Sequence, residues 1–139
     1  MLTVRDRCNA IEECYEFMLG YAAKGVAAES GLGGQLRHHL SLAVTALTGI
    51  AGAYSDAVHH DGRDASKYDA FIALLDRDSK DSLAAFEMVL SLPSISSQVI
   101  DNLNGLIHLR AMLTDLFLID EILRPQRVAS STSPSGDAG

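Results

Sequence analysis

Tryptophan is absent from these 139 residues, and aromatics make up only 6% of them, although 47% are hydrophobic. A core must therefore be assembled chiefly from Leu, Ile, Val, Ala and Met. Basic residues are sparse as well: 11 Lys and Arg stand against 18 Asp and Glu, leaving a formal charge of −7 and an isoelectric point near 5.0. They are scattered singly along the chain. This argues against a nucleic-acid or anionic-membrane partner, because phosphate binding needs clustered Lys and Arg. No apolar run approaches the roughly 20 residues of a membrane span. The opening stretch MLTVRDRCNAIEECYEF carries acids too early for a signal peptide.

Cysteine is limited to Cys8 and Cys14. At that spacing on a helix the two side chains point in different directions, so they are badly placed to bond each other. Without a second cysteine pair nearby, a structural zinc site has no basis either. The expectation is a pair of reduced thiols in a cytoplasmic protein. Strand-like alternation and internal repeats are missing too.

What is present is helical periodicity. A chain of 14.9 kDa is large enough for one domain with its own core. The first segment, about 4–23, repeats apolar residues at Val4, Cys8, Ile11, Tyr15, Met18 and Ala22, with Thr3 and Asp6 as a capping box. The second, about 35–59, carries the stripe Leu36, Leu40, Ala43, Leu47, Ile50, Tyr54 and Val58, with glycines that weaken it unless packing holds it. The third, about 66–91, carries Tyr68, Ile72, Leu75, Ser79, Leu83, Phe86 and Leu90, with Ser66 and Asp69 as its cap and Pro93 as its stop. The fourth, about 95–123, is apolar around most of its circumference, with Ser94, Ser96 and Ser97 available as caps and Pro125 as terminator. Residues 126–139 are poor in apolar side chains and read as a disordered tail. The fold expected is all-α: a single-domain antiparallel four-helix bundle over 1–125.

Catalytic motifs are missing from this pattern. No histidine follows a glutamate by three residues, so the Glu-x-x-His pairs of di-iron bundles are not formed. No serine sits in a G-x-S-x-G elbow. The run Gly31-Leu32-Gly33-Gly34 precedes a helix, but no strand leads into it and no Lys-Ser or Lys-Thr follows, so it is neither a P-loop nor a dinucleotide fingerprint. A histidine phosphotransfer module would share the four-helix architecture, yet the His-x-x-Lys-Gly-like context is missing at His38, His39, His59, His60 and His108.

Three groups of residues remain. Asp56, His59, His60, Asp61 and Asp64 cluster where the second helix ends; they form either a polar helix terminus or a divalent-metal site. On the fourth helix Asp101, Asn104, His108 and Asp115 follow spacings of three, four and seven and so line one face, a solvated edge or a contact ridge with His108 as its proton-sensitive member. Arg110 falls on the opposite face among Val99, Leu103, Leu106, Leu113 and Phe117. There it pairs with Glu12 or Glu16 or meets a ligand. Leu109, Met112, Leu116 and Ile119 occupy flanks that one core leaves bare, and leftover apolar surface becomes an interface, commonly a symmetric dimer. The function expected is binding to a protein, as a self-associating accessory, assembly or regulatory factor without a cofactor. A metal- or small-ligand-binding bundle, with or without enzymatic activity, is the alternative. Phosphotransfer ranks last.

Overall fold

Thr3 and Asp6 close a reciprocal cap: the Asp6 N–H donates to Thr3 Oγ1 at 3.0 Å and the Thr3 N–H to Asp6 Oδ2 at 3.1 Å. The hydrogen bond from the Thr3 backbone, then that with its hydroxyl, hold the Asp6 carboxyl below its ordinary range. From that cap α1 (Val4–Lys24) runs to Gly25, whose φ of 68° ends the helix in the left-handed region that suits glycine. The structure, a computed structural model, describes residues 2–29, 31–62 and 64–136, with side chains up to Leu123 except that of Ala65.

Among the described residues the protein is all-helical, with no strand. It has six helices where the sequence pattern gave four: α2 (Gly33–Leu47), α3 (Ile50–His60), α4 (Ala65–Leu90), α5 (Ser97–Asn104) and α6 (Ile107–Gly136) follow α1. The expected second helix breaks at Thr48, which is extended, and Gly49, whose φ is 79°. The break leaves carbonyls at the end of α2 without intrahelical donors. Arg7 on α1 supplies one from a distance, its Nη1 donating to Ala46 O at 2.9 Å and Thr48 O at 2.7 Å. Open space surrounds Gly49, so Gly49→Ala is disfavoured by backbone conformation alone. A loss of about 1–2 kcal/mol is expected, read as a lower urea midpoint with an unchanged slope.

The expected fourth helix breaks at Gly105 and Leu106. Gly105 N–H reaches Asp101 O at 3.2 Å, while Leu106 N–H closes a tighter turn onto Leu103 O at 3.1 Å before α6 begins. The cap of α4 also differs from expectation. Asp64 takes that place, accepting from the Ser66 N–H at 3.1 Å and the Ser66 hydroxyl at 2.7 Å, and Asp69 has no part in it. The cap of α5 is Ser96, as its sequence suggested. α6 continues past Pro125, the expected terminator, to Gly136, while side chains beyond Leu123 and residues 137–139, the end of the tail expected over 126–139, lie outside the described residues.

α1 packs against α2, α3 and α5, while α4 packs against α2, α3 and α6. All seven stripe residues of segment 35–59 are buried, because Leu47 and Ile50 keep helical spacing across the break. On α4 the inward stripe is Leu75, Ser79, Ser82, Phe86 and Val89. No helix among the described residues is long and apolar enough to cross a membrane.

At one end the α1–α2 and α4–α5 connections are tied together. Tyr21 Oη donates to Ile95 O at 2.6 Å, Ser97 Oγ to Tyr21 O at 2.6 Å, and the Val26 and Ser97 N–H groups bind Ser97 Oγ and Val26 O at 2.9 Å each. Glu29 joins the same tie through Arg37, and one glycine of the run, Gly33, has a structural reason here. A Cβ on Gly33 would collide with the Glu29 side chain.

Candidate functional site

The seam between α4 and α6 concentrates the unusual chemistry. Small serines on the inward stripe of α4 let the two helices approach. Ser79 Oγ donates to Asp76 O at 3.1 Å, and Ser82 Oγ lies 3.0 Å from both Asp78 O and His108 O, the latter on α6. One turn along from Ser82, α4 carries the half-buried Asp78, and α6 answers with Asp115. Asp115 is 9% exposed, and its Oδ2 is enclosed without a hydrogen-bond donor. Burial, followed by the hydrogen bond and the charge of Asp78, pushes the Asp115 carboxyl up to about 7. Two carboxylates in this position cannot both ionise cheaply.

Toward the start of α4 the same seam opens into a hollow of about 530 Å³ lined by Tyr68, Phe71, Leu118, Ile119 and Ile122, with Asp64 and Lys67 at its rim. Leu118 is 51% exposed and Ile122 43%, and Phe117 beside them is 55% exposed. An open apolar surface with so few charges is costly to leave in water.

A second polar group joins α1, α3 and α6. Tyr54 Oη donates to Asp120 Oδ1 at 3.0 Å, so the Cys8 thiol donates to Tyr54 Oη at 2.8 Å. Burial pushes the Cys8 thiol up to about 11 and the Cys14 thiol up to about 12. Neither is a thiolate at neutral pH, so neither is fitted for nucleophilic attack or for metal ligation. Burial raises Tyr54 as well. The chain of hydrogen bonds thus satisfies three polar groups at the edge of the core.

Several residues singled out in the sequence lie elsewhere than expected. Met112, Leu116 and Ile119 are 0%, 3% and 1% exposed and belong to the protein's own core, as does Leu109. The bare flank of α6 is instead Phe117, Leu118 and Ile122. The four polar residues of the fourth segment do not share a face. Asp101 is exposed; Asn104 is buried, with Nδ2 donating to Met18 O at 3.3 Å; His108 is exposed, 3.6 Å from Asp81; and Asp115 faces Asp78. Arg110 is exposed at a depression beside Tyr15, Leu19 and Asp101, and no described ion pair joins it to Glu12 or Glu16. The break at Gly105 explains both shifts, because it resets the rotation of α6 relative to α5.

Asp56, His59, His60 and Asp61 are exposed where α3 ends, and His59 Nδ1 lies 2.7 Å from Ser55 O. Asp64 is taken up by the α4 cap. Among the described residues, no three histidine, cysteine or acidic side chains come together to hold a metal. Asp78 escaped the sequence reading. The available signal was Ser79, a polar residue inside a predicted core stripe, which marks a place where the interface departs from apolar packing. No protein family, curated protein or solved structure matches the chain.

Proposed function

We propose that this chain is a cytoplasmic interaction protein that self-associates through the hollow between α4 and α6, serving as an assembly or regulatory factor. The observation that carries this reading is the exposed apolar surface of Phe117, Leu118 and Ile122 beside the hollow walled by Tyr68 and Phe71. Leu118 and Ile122 line the hollow itself, so one and the same apolar surface is offered by each chain, as a two-fold contact between identical chains requires. The formal charge of −7 sets chains against each other everywhere else. Here the rim holds one acid and one base, Asp64 and Lys67, which a two-fold axis can bring into opposition. In overall architecture we read an antiparallel four-helix bundle in which α2–α3 and α5–α6 each form one bent leg. The two free, buried thiols accord with a reducing compartment, and the scattered basic residues with a protein partner in preference to a nucleic acid.

Sedimentation velocity over a concentration series tests the reading. The wild-type chain should sediment as a dimer. A chain carrying Leu118→Asp and Ile122→Asp should sediment as a monomer with an unchanged far-ultraviolet circular dichroism spectrum, since both positions are already open to water. A wild-type chain that stays monomeric at every concentration, or a doubly substituted chain that still dimerises, overturns it.

A further inference from the structure

Asp115 is the one carboxylate buried to about nine-tenths in the described core, and its Oδ2 has no donor. Its neighbour across the helix seam is another acid, Asp78. A buried acid normally faces a cation, a cap or an N–H group. Facing a second acid, it can be satisfied only by a proton held between the two or by an added cation.

The charged groups around the pair offer no alternative. On α4, Lys80 is paired with Asp76 at 2.9 Å and Asp81 lies 3.6 Å from His108. Arg77 is exposed. On α6, Arg110 opens onto the depression beside α1 and α5, together with Asp101 of α5. Asp120 accepts from Tyr54. From α3, Asp56, His59 and His60 are exposed. From α2, Arg37 is bound to Glu29, His38 is exposed and His39 stacks on Phe17 of α1 with ring centroids 4.7 Å apart. The charge that acts on Asp115 is that of Asp78.

We propose that Asp115 and Asp78, the buried carboxyl with an unpartnered oxygen and the acid across the seam from it, form a proton-operated latch between α4 and α6, closed by one shared proton and released when that proton is lost. In the closed state a carboxyl O–H of one residue donates to the carboxylate of the other. Release sends the proton to solvent and leaves two facing anions in a water-poor seam, where they repel. The latch lies one helical turn from Ile119, at the base of the hollow, so its release loosens the walls of that hollow. It stands whether or not the hollow takes a partner.

The sign follows from linkage. The folded chain holds a proton that the unfolded chain gives up at about pH 4. Stability from the latch is therefore greatest below that value and falls as pH rises toward about 7. The test uses the full chain. Carbon-13 NMR of the aspartate carboxyl carbons should show one resonance of the pair titrating near neutrality, well above the others. The wild-type thermal midpoint should fall between about pH 5 and about pH 8, whereas Asp115→Asn, whose amide donates to Asp78 at every pH, should stay level and melt above wild type at the alkaline end. The latch is overturned if every aspartate carboxyl titrates in the ordinary acidic range, or if both chains share one pH profile. It is equally overturned if magnesium or calcium ions raise the wild-type midpoint at about pH 8 but leave Asp115→Asn unmoved, since a metal then takes the place assigned to the proton.

Discussion

Leu116→Asp and Ile119→Asp are each expected to unfold the protein rather than to separate folded protomers. The two side chains are 3% and 1% exposed and lie in the cluster that also holds Leu40, Tyr54 and Leu123. Removing either forfeits about 2–3 kcal/mol of apolar burial. The incoming carboxylate must then shed its water with no partner positioned for it, or hold a proton at neutral pH, and either adds several kcal/mol. The sum is comparable to the whole stability of an ordinary domain, about 5–15 kcal/mol. Circular dichroism and urea denaturation check this directly: a loss of helical signal at neutral pH is expected from both substitutions. A well-folded monomer from Leu116→Asp would place that residue outside the core and return the interface to the inner face of α6. The adjacent Leu118→Asp is the contrast, because at 51% exposure its new carboxylate keeps its water.

That contrast marks where the amino-acid pattern was a good guide and where it was not. The stripe from Leu36 to Val58 was legible because helical spacing survives the turn at Gly49, so a break in the backbone left the buried set unchanged. Thr3 and Asp6 were legible because a capping box is local. The segment 95–123 read as one apolar helix with a polar seam, and the turn at Gly105 separated what continuous periodicity had joined. Asn104 went into the core, His108 to the surface and Asp115 to a seam with Asp78, while Arg110 came out of the apolar stripe. Gly105 has an ordinary backbone, with φ −85°, and glycine in a helical pattern costs only about 1 kcal/mol. Composition alone does not separate a tolerated glycine from a terminating one. The rest was hidden because it depends on partners far apart in the chain: Arg7 on the carbonyls of Ala46 and Thr48, Tyr54 on Cys8 and Asp120, and Asp78 on Asp115. Pair identity across helices follows from the packing, which periodicity on one helix does not specify.

Arg37→Ala is expected to give the second large effect, a fall of several degrees in the thermal midpoint together with a weaker dependence of stability on acid. One guanidinium makes four hydrogen bonds. Nε and Nη2 grip both oxygens of Glu29 at 2.8 Å, Nη1 donates to Leu90 O at 3.0 Å and Nη2 to Leu92 O at 2.8 Å. The last carbonyls of α4 have no intrahelical donors, so Arg37 both caps that helix and ties it to the connection after α1. Glu29 in turn accepts the Ile95 N–H at 3.1 Å, while its own N–H donates to Ser94 Oγ at 3.0 Å. Truncation therefore releases two loops and one helix end together. Lysine does not restore them, because a single ammonium group cannot span both oxygens of Glu29 and two carbonyls in the fixed geometry of the fork. Arg37→Lys should accordingly melt close to Arg37→Ala. The acid dependence has its own sign. The hydrogen bonds from Arg37 hold the Glu29 carboxyl below its ordinary range, so its contribution is present above the ordinary glutamate range and is lost as pH falls through the lowered value. Without Arg37 that acid-side slope should flatten, whereas the neutral-range slope assigned to Asp115 should remain. Thermal melts of wild type, Arg37→Ala and Arg37→Lys from neutral to acid pH separate the two contributions. A lysine chain with the wild-type midpoint would show that charge alone, rather than the planar fork, holds this end of the molecule together.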